Sequence, residues 1–194
     1  MEQAKTNDVV DSGLIARPGS EEAARAMGKY FFECYDKDGN LKWTAESKNL
    51  VVNVGLQYMA GTSLDGATAR ITSWYIGLYG AGASNTPAAG DTMSSHAGWT
   101  ENTTYSNATR PAATFAAATL PTGSGNPSVV TNTASKASFS INGTTTIGGA
   151  FLTSDNTKSG TTGTLFSASD FTGGDRSVVN GDTLQVTYQF SLSA

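Results

Sequence analysis

Apolar and polar side chains alternate most regularly at the end of the chain. Leu184, Val186, Tyr188, Phe190 and Leu192 are separated by Gln185, Thr187, Gln189 and Ser191. A period of two predicts a strand with one face on a core and the other in water, so all five apolar residues are expected inside. Asn180-Gly181-Asp182 before them reads as a turn. Residues 29–35 (Lys-Tyr-Phe-Phe-Glu-Cys-Tyr) are aromatic-rich, and residues 41–46 again alternate. Asp36-Lys37-Asp38-Gly39-Asn40 between them marks a hairpin turn, since Asp-Gly supplies the positive φ that a tight reversal needs. Further strands are predicted over 71–79, with Trp74, Ile76 and Leu78 on one face, and over 113–119, 128–131, 135–142, 147–153 and 163–168.

One stretch has helical spacing. Leu50, Val51, Val54 and Tyr58 recur at intervals of three, four and seven, predicting a short helix over 48–60 ended by Gly61. Residues 80–112 form a long irregular stretch, unusual in a compact domain unless it has a role, with one helical turn expected over 91–98. Residues 1–28 lack the apolar side chains for a core. Ser20 followed by Glu21 and Glu22 reads as the capped start of one or two helical turns reaching Met27. The expected architecture is all-β: an antiparallel, jelly-roll-like β-sandwich over 29–194, with one short helix and a flexible N-terminal arm over 1–28.

Composition sharpens this picture. The chain has 194 residues, of which 48 are Thr or Ser and 22 are Gly. Of its 28 charged side chains, 16 lie within residues 1–50, leaving the remainder charge-poor. Such a composition suits strands and Gly-containing turns better than long solvated helices. A net charge of -4 gives no general attraction to nucleic acid or to anionic lipid. No apolar run approaches the ~18 residues of a membrane span, and the polar start lacks the pattern of a secretory signal. A soluble protein made in a cytoplasm, with no nucleic-acid or membrane partner, is expected.

Candidate chemistry is sparse. One cysteine excludes an internal disulfide framework, and one cysteine with one histidine argues against a zinc site. Asp36, Asp38 and Asn40 have the look of a calcium loop, but Gly39 falls at its fourth position instead of the sixth, and Ser47 stands where a bidentate acid is required. Any serine-hydrolase set would have to use His96, and no Gly-x-Ser-x-Gly elbow accompanies it. Cys34 lies within a predicted strand and reads as a small buried hydrophobe. Trp43 and Trp74 sit in alternating runs and read as core. Trp99 is expected to anchor the long loop onto the sandwich. No catalytic residue, cofactor or metal is predicted.

Several stretches taken together resemble one family. They are Tyr35-Asp36-Lys37-Asp38-Gly39-Asn40-Leu41-Lys42-Trp43, Lys48-Asn49-Leu50-Val51 with Val54-Gly55-Leu56, and Trp74-Tyr75-Ile76-Gly77-Leu78. Asp91-Thr92-Met93-Ser94-Ser95-His96-Ala97-Gly98-Trp99-Thr100-Glu101, Ala108-Thr109-Arg110-Pro111, Ile147-Gly148-Gly149-Ala150-Phe151-Leu152 and Gly181-Asp182-Thr183-Leu184-Gln185-Val186-Thr187-Tyr188 complete the set. The chain is similar over 29–192 to the head decoration, or cement, proteins of short-tailed bacteriophages. The resemblance implies a jelly-roll-like virion structural protein on the outer capsid surface, made in the host cytoplasm and without catalytic residues. The implied partners are the major capsid protein and other copies of the chain, as a homodimer or homotrimer. A tail or neck adaptor and a carbohydrate-binding module are the competing readings. Within the arm, Leu14 and Ile15 are expected to fill a pocket on the shell, with Arg17 and Arg25 pairing with shell carboxylates.

Overall fold

The computed structural model describes residues 25–81, 86–122 and 126–193. Two antiparallel sheets face each other, as the all-β sandwich expectation requires. Sheet one contains β1 (Arg25–Tyr35), β2 (Leu41–Lys48), β6 (Ser128–Thr131), β7 (Ala137–Ser140) and β11 (Thr183–Ser193). Its order is β2-β1-β11, with β6 and β7 sharing the far edge of β11. Sheet two contains β3 (Leu50–Val51), β4 (Tyr75–Gly80), β5 (Glu101–Asn102), β8 (Thr145–Thr153), β9 (Leu165–Asp170) and β10 (Arg176–Val178). Its order is β3-β9-β8-β4-β5, and β10 also pairs with β8.

β1 and β11 pair along their whole length, from Arg25↔Ser193 to Tyr35↔Thr183. The strand thus starts at Arg25, before the predicted boundary at residue 29. Arg25, Ala26 and Met27 are extended instead of helical, because β11 offers them a ladder of backbone partners. The hairpin to β2 forms as predicted. Asp36 Oδ1 accepts the N–H groups of Asn40 at 2.8 Å and Asp38 at 2.9 Å. The hydrogen bonds from Asn40 are the main reason its carboxyl is held below the usual carboxylate range.

The predicted helix is shorter than expected at its start and longer at its end. Residues 48–51 close β2 and form β3, whose Leu50 and Val51 pair with Ala168 and Ser167. Helix α1 spans Asn53–Ala60. Gly61 stays right-handed and passes into a π-helical turn, Gly61–Asp65, which ends at Gly66 with φ 64. Thr62 and Ser63 hydroxyls donate back to the Tyr58 and Met59 carbonyls at 2.9 and 2.7 Å, holding that turn together. The helical turn expected over 91–98 is a β-bridged reversal between Thr92 and Ser95. Residues 113–119 form no regular strand. They run along the side of the sandwich, with Ala113 N–H on Trp74 O, then Ala116 on Thr131 O and Thr119 on Val129 O.

Two apolar clusters result. The first lies between the sheets and joins Tyr30, Phe32, Leu184, Val186 and Tyr188 to Ile76, Leu78, Leu152 and Phe166. The second lies on the other side of sheet two and joins Tyr79, Phe151, Leu165 and Ala168 to Val52, Met93 and Trp99. Sheet two is therefore buried on both faces, and β8 is buried without a break from Ile147 to Thr153. Alternation fails there for this reason. Gly77 makes the double layer possible: a Cβ there would lie 2.1 Å from Phe151 Cζ. On β11, Leu184, Val186 and Tyr188 are buried and Phe190 packs partly against the core. Leu192 departs from expectation at 42% exposed, because sheet two does not extend over that end.

Candidate functional site

The long loop closes over sheet two through Trp99. Its indole is 3% exposed, tilted against Tyr79 and Phe151. Nε1–H donates to Asp91 Oδ2 at 2.8 Å, and the same oxygen accepts the Ala88 N–H at 2.9 Å. The His96 ring stacks on the indole at 3.9 Å, with Nδ1 2.9 Å from the Trp99 carbonyl oxygen. The histidine is thus held as part of the loop anchor.

A second clamp lies beside it. Arg110 is 1% exposed and forks onto Glu101, Nε to Oε1 at 2.9 Å and Nη2 to Oε2 at 2.8 Å. Its remaining donors reach the carbonyls of Asp155 at 2.8 Å and Gly160 at 3.0 Å, and Glu101 Oε2 also accepts the Ser159 N–H at 2.6 Å. Ser159 has φ 57, a left-handed conformation that this bond helps to hold. Lys158 Nζ donates to the carbonyls of Tyr105 and Asn107 at 2.7 and 3.0 Å, and lies 4.0 Å over the Tyr105 ring. The β8–β9 connection is therefore locked to residues 101–110. The sequence reading did not find this pair. Its one signal is scarcity: residues 71–154 contain four charged side chains, Asp91, Glu101, Arg110 and Lys136.

Cys34 is buried, as predicted, and its S–H points at Asp182 Oδ2, 3.7 Å away. Asp182 also accepts Lys42 Nζ at 2.5 Å and the Val179 N–H at 2.9 Å. Burial, reinforced by the Asp182 charge, pushes the thiol up to about 12, so it stays protonated and unreactive at neutral pH. Between the sheets, Tyr30 OH meets Ser167 Oγ at 2.9 Å, and Asn49 Nδ2 donates to Tyr188 OH at 2.8 Å. Burial raises both phenols above their ordinary value. Among the described residues, no group of three or more His, Cys, Asp or Glu side chains is placed to hold a metal ion. No helix there is long and apolar enough to cross a membrane.

The expected contact residues Leu14, Ile15 and Arg17 lie outside the described residues. Arg25 is exposed and opens β1. At its end of the sandwich the edge of β1 is uncovered. β2 stops at Lys48 opposite Lys29, so residues 25–27 have no partner from β2. A cleft of about 360 Å³ fills that place, lined by Ala26, Met27, Gly28, Lys48, Asn49 and Ser191 among others. Met27, at 46% exposed, lines the cleft, and Leu192, paired with Ala26, stands on the opposite face of the sheet. The Asn49 amide lies close over Gly28, where a Cβ would meet it at 2.6 Å, and its Oδ1 accepts no hydrogen bond from a described residue. The arrangement offers a mostly apolar cleft and a backbone edge that β2 leaves uncovered. No family model, curated protein or solved structure matches the chain.

Proposed function

We propose that this chain is a capsid decoration protein of a short-tailed bacteriophage, binding the outer surface of the assembled head across subunit boundaries. The observation that carries the reading is the set of sequence stretches from Tyr35 to Tyr188 that resembles that family. The fold is compatible with the role. Both faces of sheet two are used internally, and the loops are pinned by Trp99 and by the Arg110–Glu101 fork. A rigid body of this kind suits a protein whose work is surface contact. Binding the closed shell but not free subunits stabilises the shell by mass action, and many copies on one lattice multiply the effect. The partners in this reading are the major capsid protein and other copies of the chain. The reading includes no enzyme activity and no cofactor. The test is a count of copies in purified virions by quantitative mass spectrometry. A number close to that of the capsid subunit is expected. A dozen or fewer copies, confined to the neck or tail, would replace this reading with an adaptor.

A further inference from the structure

An uncovered sheet edge is a template for another strand, and among the described residues this fold has one long edge of that kind. β3 and β5 close sheet two with two residues each. The far side of sheet one is covered: the Ala116 and Thr119 N–H groups donate to the Thr131 and Val129 carbonyls, and Ser106 N–H and the Asn107 side chain bond to β7. β2 differs. It runs for eight residues and, among the described residues, pairs with β1 alone. The Asn49 N–H donates to the Gly28 carbonyl at 3.0 Å, and bonded residues alternate along an antiparallel ladder. Trp43, Ala45 and Ser47 therefore turn their backbone groups to β1, and Thr44 and Glu46 turn theirs outward. Thr44 and Glu46 are both exposed, and the Glu46 carboxylate is paired with Lys29 at 3.7 Å. Two exposed apolar side chains stand at the other end of this edge: Leu41, which opens β2, and Val179, whose N–H shares the Asp182 carboxylate with Lys42.

We propose that two copies of the chain join through this edge, β2 antiparallel to β2, about a two-fold axis at Thr44. The pattern of charge selects both the occupant and the register. With Thr44 opposite the partner's Thr44, the two residues exchange N–H and C=O groups. Glu46 then falls opposite the partner's Lys42, and Lys42 opposite the partner's Glu46. Threonine pairs and opposite charges are both favourable across an antiparallel pair. Ala45 comes opposite the partner's Trp43, a small side chain against a large one. Centring the pair on Ala45 would set Lys42 opposite the partner's Lys48, and centring it on Glu46 would set two carboxylates against each other. Lys42 is the extra residue of a bulge, since Cys34 pairs with Trp43 and Tyr35 with Leu41, so it bounds the new ladder. Its ammonium already meets Asp182 at 2.5 Å and keeps further N–H groups for the partner's carboxylate. Charges and bulges on an edge normally deter pairing. Here Lys42 and Glu46, on either side of Thr44, deter the neighbouring registers and fit one. The contact is isologous and closes at two copies, which excludes a trimer through this edge. The inference gives a place to the self-association included in the proposed function and rests on no other part of that reading.

The test is sedimentation equilibrium of the full-length protein from low micromolar to submillimolar concentration, where a monomer–dimer equilibrium is expected. Glu46→Lys sets like charges against the partner's Lys42 and should raise the dimer Kd about tenfold. Thr44→Pro removes an outward N–H and leaves the ladder to β1 untouched, so it should leave a folded monomer. Should Thr44→Pro fail to fold, Glu46→Lys and a crosslinking measurement decide. Thr44→Cys is compared with Ser138→Cys, an exposed position on β7 at the far side of sheet one. Under mild oxidation at a dimer-forming concentration, Thr44→Cys should give disulfide-linked dimers about tenfold faster than Ser138→Cys. A monomer over the whole range, a trimer, a dimer whose Kd Glu46→Lys leaves unchanged, or equal crosslinking rates would each overturn the proposal. None of these measurements involves a capsid, so the count of copies in virions judges the decoration reading separately.

Discussion

Arg110 and Glu101 form a forked ion pair with both side chains almost wholly removed from solvent, 1% and 6% exposed. The pair is the junction of two connections, since the same two groups hold the backbone of Asp155, Ser159 and Gly160. Breaking a buried pair from one side strands the other charge, at a cost of about 3–5 kcal/mol. Arg110→Met and Glu101→Leu should each lower stability by that amount in urea denaturation. The double variant should lose less than the two together, because neither charge is then left alone.

Trp99 holds the loop by packing and by one hydrogen bond, and the two can be separated. Trp99→Phe keeps most of the ring contact but leaves the buried Asp91 without its indole donor, which should cost about 1–3 kcal/mol. Trp99→Ala also empties the space against Tyr79 and Phe151 and should cost about 3–5 kcal/mol. Limited proteolysis of the alanine variant should cut first within residues 86–98. Cleavage elsewhere first would mean that another contact anchors the loop.

β11 passes from full burial to exposure along one face, and a charge scan should follow that gradient. Tyr188→Asp should abolish folding, because an unpaired carboxylate would enter the core. Phe190→Asp should be intermediate. Leu192→Asp should change stability by no more than about 0.5 kcal/mol, as at an ordinary surface position. Thermal melts of the three variants give the order directly, and a Leu192→Asp as damaging as Tyr188→Asp would contradict the packing.

Cys34 links stability to alkaline pH. Its thiol is raised from 9.0 to about 12 by burial, so the folded state keeps a proton that the unfolded state releases. That contribution is complete below pH 9 and is lost as pH rises from there toward 12. Cys34→Ala should flatten the fall in stability across that window, leaving the part due to buried tyrosines such as Tyr30 and Tyr188. In the parent, a thiol reagent at pH 8 should label Cys34 only after denaturant is added.

Under the proposed function, removal of residues 2–24 stops short of β1 and should leave the sandwich folded. Binding of this variant to undecorated heads should be weaker than that of the full chain, most visibly at high salt, where screening weakens the remaining charge contacts. Equal occupancy across a salt series would deny those residues a part in binding.

The hairpin at Asp36-Lys37-Asp38-Gly39-Asn40, the alternating β11 and the all-β class were legible in the sequence because each rests on short-range causes. Turn chemistry acts within five residues, and a period of two acts between neighbours. The limits of α1 were not legible. Residues 48–51 are drawn into strands by partners on β1 and β9, far away in sequence. The start of β1 at Arg25 likewise depends on Ser193, at the other end of the chain.

By itself, the sequence determined that this is a Thr-, Ser- and Gly-rich β protein with a hairpin near residue 38 and a last strand facing a core. It also determined that Trp99 would serve its loop. Tertiary structure alone decided that sheet two has a second apolar layer and that Glu101 meets Arg110. It also decided that Leu192 is exposed and that Gly28 must be bare to admit Asn49. Those outcomes depend on which surfaces meet, and alternation along one strand carries no record of what will lie on its other face.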